Sequence, residues 1–479
     1  MLPSAVELVA NFLRSHGYKE TLATFIKEAN LPGDIGASSN SDITVENVLQ
    51  EKLTFDLSRS FEKLGVDDKA QGWTSPAPSI PSRVQTLPAK SNLLSVHVFD
   101  VQLHCSSEPQ LCIVATTADR CIHFVDPIVP SSPLLHSISD SLDSPVLDIA
   151  VLKSRYLLTS FMSGRLVLYD PATRKILDER RDHKKYVVKL TTWSEGPVTM
   201  VASAAWDSRI HLYRMTGEGT ELRLGDPIAS ATLSTVPETI QFICPPSGSG
   251  PLLLLSRRDS SFLYYYDVPT AMEDNFEMHC CGKQNLAPRS NAWVAFTPSD
   301  VKICPNNPSV VAVATSSTPY MKLLVVQMLI PPRSGPKSDA QVQDDPDSNL
   351  ETSPGTQTPN ARITQASQAQ DELLLQNREE AAIHVNISTL SPQTTYSTPK
   401  LAWRPDGSGI YVSSDDGVIR GFEASTGKFI ESLQGHEPGS KIRCLVSGTR
   451  ASNDDTHPRT EEFLVTGGFD QNLILWKIH

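Results

Sequence analysis

The stretch "SSDDGVIRGFEASTGKF", residues 413–429, sets a polar turn against a short alternating strand and closes that strand with Phe422-Glu423. Asp416 stands six positions before Phe422. The same spacing returns along the chain. Asp470 precedes Trp476 by six in "GGFDQNLILWKIH", and Asp207 precedes Tyr213 by six in "AAWDSRIHLYRM". Ser163 and Tyr169, Ser260 and Tyr266, and Asp119 and Val125 repeat it, with a weaker copy over 309–328. Each unit reads as an apolar strand, a polar turn and a second alternating strand.

The turns fall at 119, 163, 207, 260, near 320, 416 and 470. One gap is much longer than the others. It contains "PPRSGPKSDAQVQDDPDSNLETSPGTQTPNARITQASQAQ" (331–370), which is rich in Pro, Ser, Gln and Asp and has almost no apolar residue. Such a segment lacks the apolar surface to offset its ordering entropy, so a disordered insertion is expected over about 331–380. Without it, the period is roughly 45–55 residues, the mark of a repeat architecture, and four short strands per unit mean propeller blades. The expected fold is mainly β: a seven-bladed propeller over 84–479.

The units resemble WD40 repeats, best in residues 403–437 and in the last segment. On that resemblance His436, Thr466, Asp470 and Trp476 match the family's hydrogen-bonded tetrad, as do His183, Ser203 and Asp207 with Tyr213 in place of Trp. Asp416 then lies in the turn between the two middle strands of its blade, and Phe422 in the layer between blades. The second and fourth units have Ser where the family has Asp. The histidine–aspartate pairs recur with the blades, so their expected role is to tie loop to strand; a catalytic pair would occur once. The last unit ends after its third strand, and "RVQTLPA" (83–89) is expected to supply the fourth, closing the ring and removing exposed edges.

Before the repeats lies "LPSAVELVANFLRSHGYKETLATFIKEANLP" (2–32). Ser4 and Glu7 form a capping box. Leu8, Val9, Phe12 and Leu13 make one helical stripe; Tyr18, Leu22, Phe25 and Ile26 make a second, with Gly17 at the turn between them. Two helices this short cannot bury both stripes against each other, and a second copy would complete a four-helix dimer. The stretch resembles a LisH motif over residues 1–34, which implies homodimerisation through those residues. Residues 35–71 carry further apolar positions near helical spacing and are read as helices extending this module. "GWTSPAPSIPSR" (72–83) is read as a Pro-rich linker.

The chain of 479 residues has a net charge of −12, so direct contact with nucleic acid is not expected. No apolar run reaches the roughly 18 residues that span a bilayer, and the N-terminus does not read as a secretory signal, so a cytoplasmic or nuclear location is expected. The eight cysteines form no CxxC pair and are read as mostly buried thiols. No metal site, cofactor motif or catalytic motif is found. The inner strands offer few convergent acids or histidines for a propeller enzyme, the remote alternative.

One loop stands out for binding. "ERRDHKKY" (179–186) gathers Arg180, Arg181, Lys184 and Lys185 around His183, a candidate grip for an acidic or phosphorylated peptide. Ser353-Pro354 and Thr358-Pro359 in the insertion are candidate phosphorylation sites. The expected function is a non-catalytic homodimeric scaffold that docks partner proteins on its propeller within a multiprotein complex. The resemblance also leaves open a substrate-recognition subunit of a ubiquitin ligase, or a corepressor or motor-regulator subunit.

Overall fold

Burial in this chain rises and falls with the strand's place in its repeat. The second strand Tyr156–Phe161 is buried at every residue, whereas the fourth, Lys175–Arg180, has none fully buried. The computed structural model gives the reason: a second strand is covered by a neighbouring blade on both faces, while a fourth strand lies at the perimeter. It describes residues 5–35, 44–45, 73, 75–104, 106–129, 131–139, 142–245, 250–269, 276–290, 294–331, 365–451 and 460–478. The chain divides into two units, 1–71 and 72–479.

In the second unit seven sheets follow one another in sequence. The blades run over 93–138, 146–180, 187–232, 237–285, 297–392, 401–434 and 442–477. Each is an antiparallel meander with strands hydrogen-bonded in chain order, and the third gains a short fifth strand, Phe276–Glu277, in parallel. Seven apolar clusters fill the seams, one between each adjacent pair. The cluster of Leu93, Ile113 and Val125 with Phe463, Val465 and Leu475 joins the last blade to the first. The circle is therefore closed: a seven-bladed β-propeller.

The closing strand is Ile80–Arg83, paired antiparallel to Leu473–Lys477 with Ile80 opposite Lys477 and Arg83 opposite Ile474. It lies three residues earlier than the sequence reading placed it, inside the segment read as linker. Pro81 is tolerated because an outer strand needs its donors on one side only. The rest of that segment is also fixed to the ring. Trp73 packs edge-on to Tyr411 at 5.2 Å and donates from its indole nitrogen to the Phe422 carbonyl at 3.3 Å. A methyl group at Gly409 or Gly421 would overlap the Trp73 ring, so these glycines form its slot. Arg404, fully buried, lies over the indole at 4.7 Å; it donates to Glu462 at 2.7 Å and to Ser75 and the Pro76 carbonyl at 3.0 Å.

The first unit is a helical hairpin, α1 (Ala5–Ser15) and α2 (Lys19–Glu28). Gly17, at φ +76°, lets Tyr18 N–H return to the Leu13 carbonyl and its own N–H to Arg14, which caps α1. Asn30 repeats the device after α2, where Leu31 N–H reaches the Ile26 carbonyl at 3.0 Å. Ala10 and Leu22 are buried in the hairpin; Val6, Val9 and Tyr18 remain exposed, and Leu8, Phe12, Leu13, Phe25 and Ile26 are half-covered. The capping residue Ser4 and nearly all of 36–72 lie outside the described residues.

The insertion needs one correction. Gln365–Ala381 forms a helix, α3, where no order was expected. Its C-terminal end is anchored: Asn285 N–H donates to Glu379 at 2.7 Å, Arg289 pairs with Glu380, and Arg289 also donates to Asn377 at 3.0 Å. Residues 332–364, with Ser353 and Thr358, lie outside the described residues.

Candidate docking face of the propeller

In a four-stranded meander, the connection entering the first strand and the turn between the second and third strands lie at the same end. The tetrads join those two connections. His183, in the loop entering the third blade, faces Asp207 with Nδ1 at 3.2 Å and Ser203 with Nε2 at 2.8 Å. Asp207 also accepts from Lys184 N–H at 2.9 Å. Burial alone would raise its carboxyl, but the bonds from His183 and Lys184 outweigh that and hold it at about 2. His436 repeats the arrangement with Asp470 at 2.9 Å and Thr466 at 2.8 Å, and the Trp476 indole donates to Thr466 at 2.9 Å. Asp470 is likewise held below the ordinary carboxylate range, His436 and Asn472 overcoming its burial.

Two members differ from the pattern. The Tyr213 hydroxyl, standing where the family has Trp, donates to Asp182 at 3.1 Å. Asp416 is bonded by Arg420 at 2.7 Å and by Val418 N–H at 3.0 Å, with no histidine among its hydrogen-bond partners. Phe422 is buried in the seam between the fifth and sixth blades.

The cationic loop splits into two parts. Arg180 is consumed, donating to Asp182 at 2.9 Å and pairing with Asp226 at 2.9 Å. Those bonds, against its burial, raise the guanidinium above its ordinary range. Arg181, Lys184 and Lys185 are exposed and have no ion pair among the described residues. The Lys184 bond to Asp207 fixes the loop that carries them.

Beside them lies a feature the sequence reading missed. Tyr186 and Trp206 are 39% and 40% exposed, with ring centroids 5.4 Å apart. The Arg258 guanidinium sits over Trp206 at 5.5 Å while pairing with Glu238 at 2.7 Å. On the seventh blade, exposed Phe469 lies under Arg443 at 5.5 Å. The available signal was positional: Trp206 and Phe469 each immediately precede a tetrad aspartate, in a turn that projects from the sheet.

The axis also carries more charge than the inner strands suggested. Lys189 lies within electrostatic reach of Asp148, Asp300, Cys444 and Glu238, which come from four other blades. His97 approaches Asp148 at 3.1 Å, and Lys400 approaches Asp300 at 3.8 Å. Each carboxylate also binds a neighbouring blade: Asp148 accepts from Leu190 N–H at 2.9 Å and Asp300 from Leu401 N–H at 3.0 Å. These acids therefore staple blades together around the axis. Among the described residues, no three His, Cys, Asp or Glu side chains are grouped to hold a metal ion.

The thiols divide by strand position. Cys112, Cys304 and Cys444 are buried, and burial pushes Cys112 up to about 12. Cys244, Cys280 and Cys281 are exposed, against the reading of mostly buried thiols. Cys280 and Cys281 belong to a perimeter strand, where neither face has a second blade over it.

The family described as UCP007778, beta-propeller domain, matches residues 104–477, and UCP007778, LisH domain, matches residues 7–34. No curated protein matches this chain. Among solved structures, the crystal structure of Saccharomyces cerevisiae Sqt1 is similar at a TM-score of 0.51 and 11% identity. That alignment covers 84% of this chain and 100% of the other. At that identity the likeness is one of fold.

Proposed function

The chain belongs to the UCP007778 family, through both its LisH and its β-propeller domains, and on that premise we propose a homodimeric scaffold that captures partner proteins on the loop-and-turn end of its propeller. The two domains together point to an interaction module. The observation that carries the docking site is the exposed Tyr186–Trp206 pair beside three cations without ion partners. Aromatic and arginine side chains dominate binding energy at protein interfaces, and a rigid aromatic pair loses little entropy when covered. Arg181, Lys184 and Lys185 suit an acidic or phosphorylated segment, and their charge opposes that of the chain as a whole.

Dimerisation is supported by the apolar side chains the hairpin leaves uncovered, Val9 and Tyr18 together with half-covered Leu8, Phe12, Leu13, Phe25 and Ile26. Buried Leu22 and the Gly17 turn shape the hairpin that presents them. Two linked propellers bind a divalent partner with higher avidity and no new contact. No step of this reading uses catalysis, and a cytoplasmic or nuclear location fits it. The test is affinity capture from cell extract with the full chain and with a triple reversal, Arg181→Glu, Lys184→Glu and Lys185→Glu. Arg180 is left intact because its ion pairs are structural. Loss of specific partners from the variant is expected; an unchanged partner set would remove the loop from the account.

A further inference from the structure

His211 is the one tetrad neighbour whose chemistry is unspent. It lies on the third strand of the third blade, Arg209–Arg214, opposite Ser203 on one side and Ser230 on the other. The ring is 7% exposed, and neither nitrogen has a hydrogen-bond partner. His183, stacked obliquely against it at 4.6 Å, uses both its nitrogens, so His211 gains nothing from that contact. Burial and the neighbouring His183 lower the His211 pKa to about 4, against the pull of Asp182 and Asp207. The imidazole is therefore neutral at physiological pH and presents one donor and one acceptor. Buried polar groups are as a rule bonded, and an unmet one calls for a ligand or water.

The ring opens on a cleft of about 310 Å³ lined by His211, Pro227, Ile228, Ser230, Thr232 and Glu277. That is room for roughly ten water molecules, far more than one bridging water needs. The lining includes one carboxylate and no cation. One wall is the outer strand Pro227–Thr232, whose outward side is paired only at Ala229 and Ser230, by the two residues Phe276–Glu277. The edge is thus open on both sides of that short parallel pair. An open strand edge, alternating hydroxyl and apolar side chains, and an exposed carboxylate together describe a receptor for an extended chain carrying a positive charge.

We propose that this cleft, on the rim of the third blade, binds an extended peptide segment of a partner protein. The segment presents a main-chain amide to His211 and a lysine or arginine side chain to Glu277. The site is separate from the face bearing Lys184 and Lys185, and its ligand has the opposite charge.

The test is fluorescence anisotropy on the full chain with two fluorescein-labelled nonapeptides. Both alternate serine and valine; one has a central lysine, the other a central glutamate. The lysine peptide is expected to bind at least five-fold more tightly than the glutamate peptide. His211→Phe, which keeps the ring volume and removes both nitrogens, is expected to weaken it at least five-fold. Glu277→Lys is on the surface and spares the fold, and it should reverse the preference between the two peptides. The triple reversal at Arg181, Lys184 and Lys185 should leave this binding unchanged, which separates failure here from failure of the docking face. Equal affinity for both peptides, indifference to Glu277→Lys, or no binding by either peptide would overturn the proposal; in the last case ordered water alone satisfies His211.

Discussion

Removing the Trp73 ring should loosen the closure of the propeller by an amount the structure lets one work out. A fully buried aromatic truncated to alanine costs about 3–5 kcal/mol. Trp73 is half-buried, so roughly half applies, about 2 kcal/mol. Its long bond to the Phe422 carbonyl adds about 0.5 kcal/mol, and the Arg404 guanidinium over its face a similar amount. Trp73→Ala should therefore cost about 3 kcal/mol, read from the urea midpoint by far-ultraviolet circular dichroism. Gly421→Ala reaches the same slot from the other side, because its methyl group collides with the ring, and overpacking of this kind costs about 2 kcal/mol. In the double variant the ring is absent and the methyl has room, so the pair should cost little more than Trp73→Ala alone. The expected coupling is about 2 kcal/mol, well above the scatter of independent sites. Additive costs within about 0.5 kcal/mol, or a Trp73→Ala variant as stable as the parent, would refute the reasoning that the glycines exist to seat this ring.

The tetrad acids should shape the acid limb. A carboxyl held below its ordinary value contributes stability above that value and loses it as pH falls through the folded one. The contribution of Asp207, about 2 kcal/mol, is thus present above pH 4 and lost between about pH 4 and pH 2. Acid unfolding followed by fluorescence should be shallower over that window in Asp207→Asn and Asp470→Asn. Arg404→Met would strand the buried Glu462 carboxylate and should cost about 3 kcal/mol in urea. Replacing both, with Glu462→Leu, should restore much of that loss, since the buried pair itself contributes little over apolar residues of similar volume.

Much of the fold was written in local spacing. The six-residue step from turn acid to strand aromatic survives where the rest of the repeat has degraded, because the turn and the seam both depend on it. Tyr169 and Phe422 are such seam residues. The closing strand was harder to place. Its partners lie nearly four hundred residues away, and three prolines disguise a segment that Trp73, Arg404 and four strand pairings hold in place. The helix α3 was missed because its anchors, Arg289 and Asn285, belong to another blade. The tetrads were legible from residue type and order. The aromatic pair at Tyr186 and Trp206 was not, because the two rings meet only when a loop and a turn converge. The same holds for the ionic belt around the axis, where Lys189 meets carboxylates from blades scattered along the chain.

The central claim is that the hairpin pairs two copies of a docking propeller. Light scattering coupled to size exclusion measures that directly, on the full chain and on a Val9→Glu, Phe12→Glu variant. The account predicts twice the chain mass of 52.4 kDa for the parent and the single mass for the variant. A parent that elutes at the single mass at micromolar concentration would contradict it.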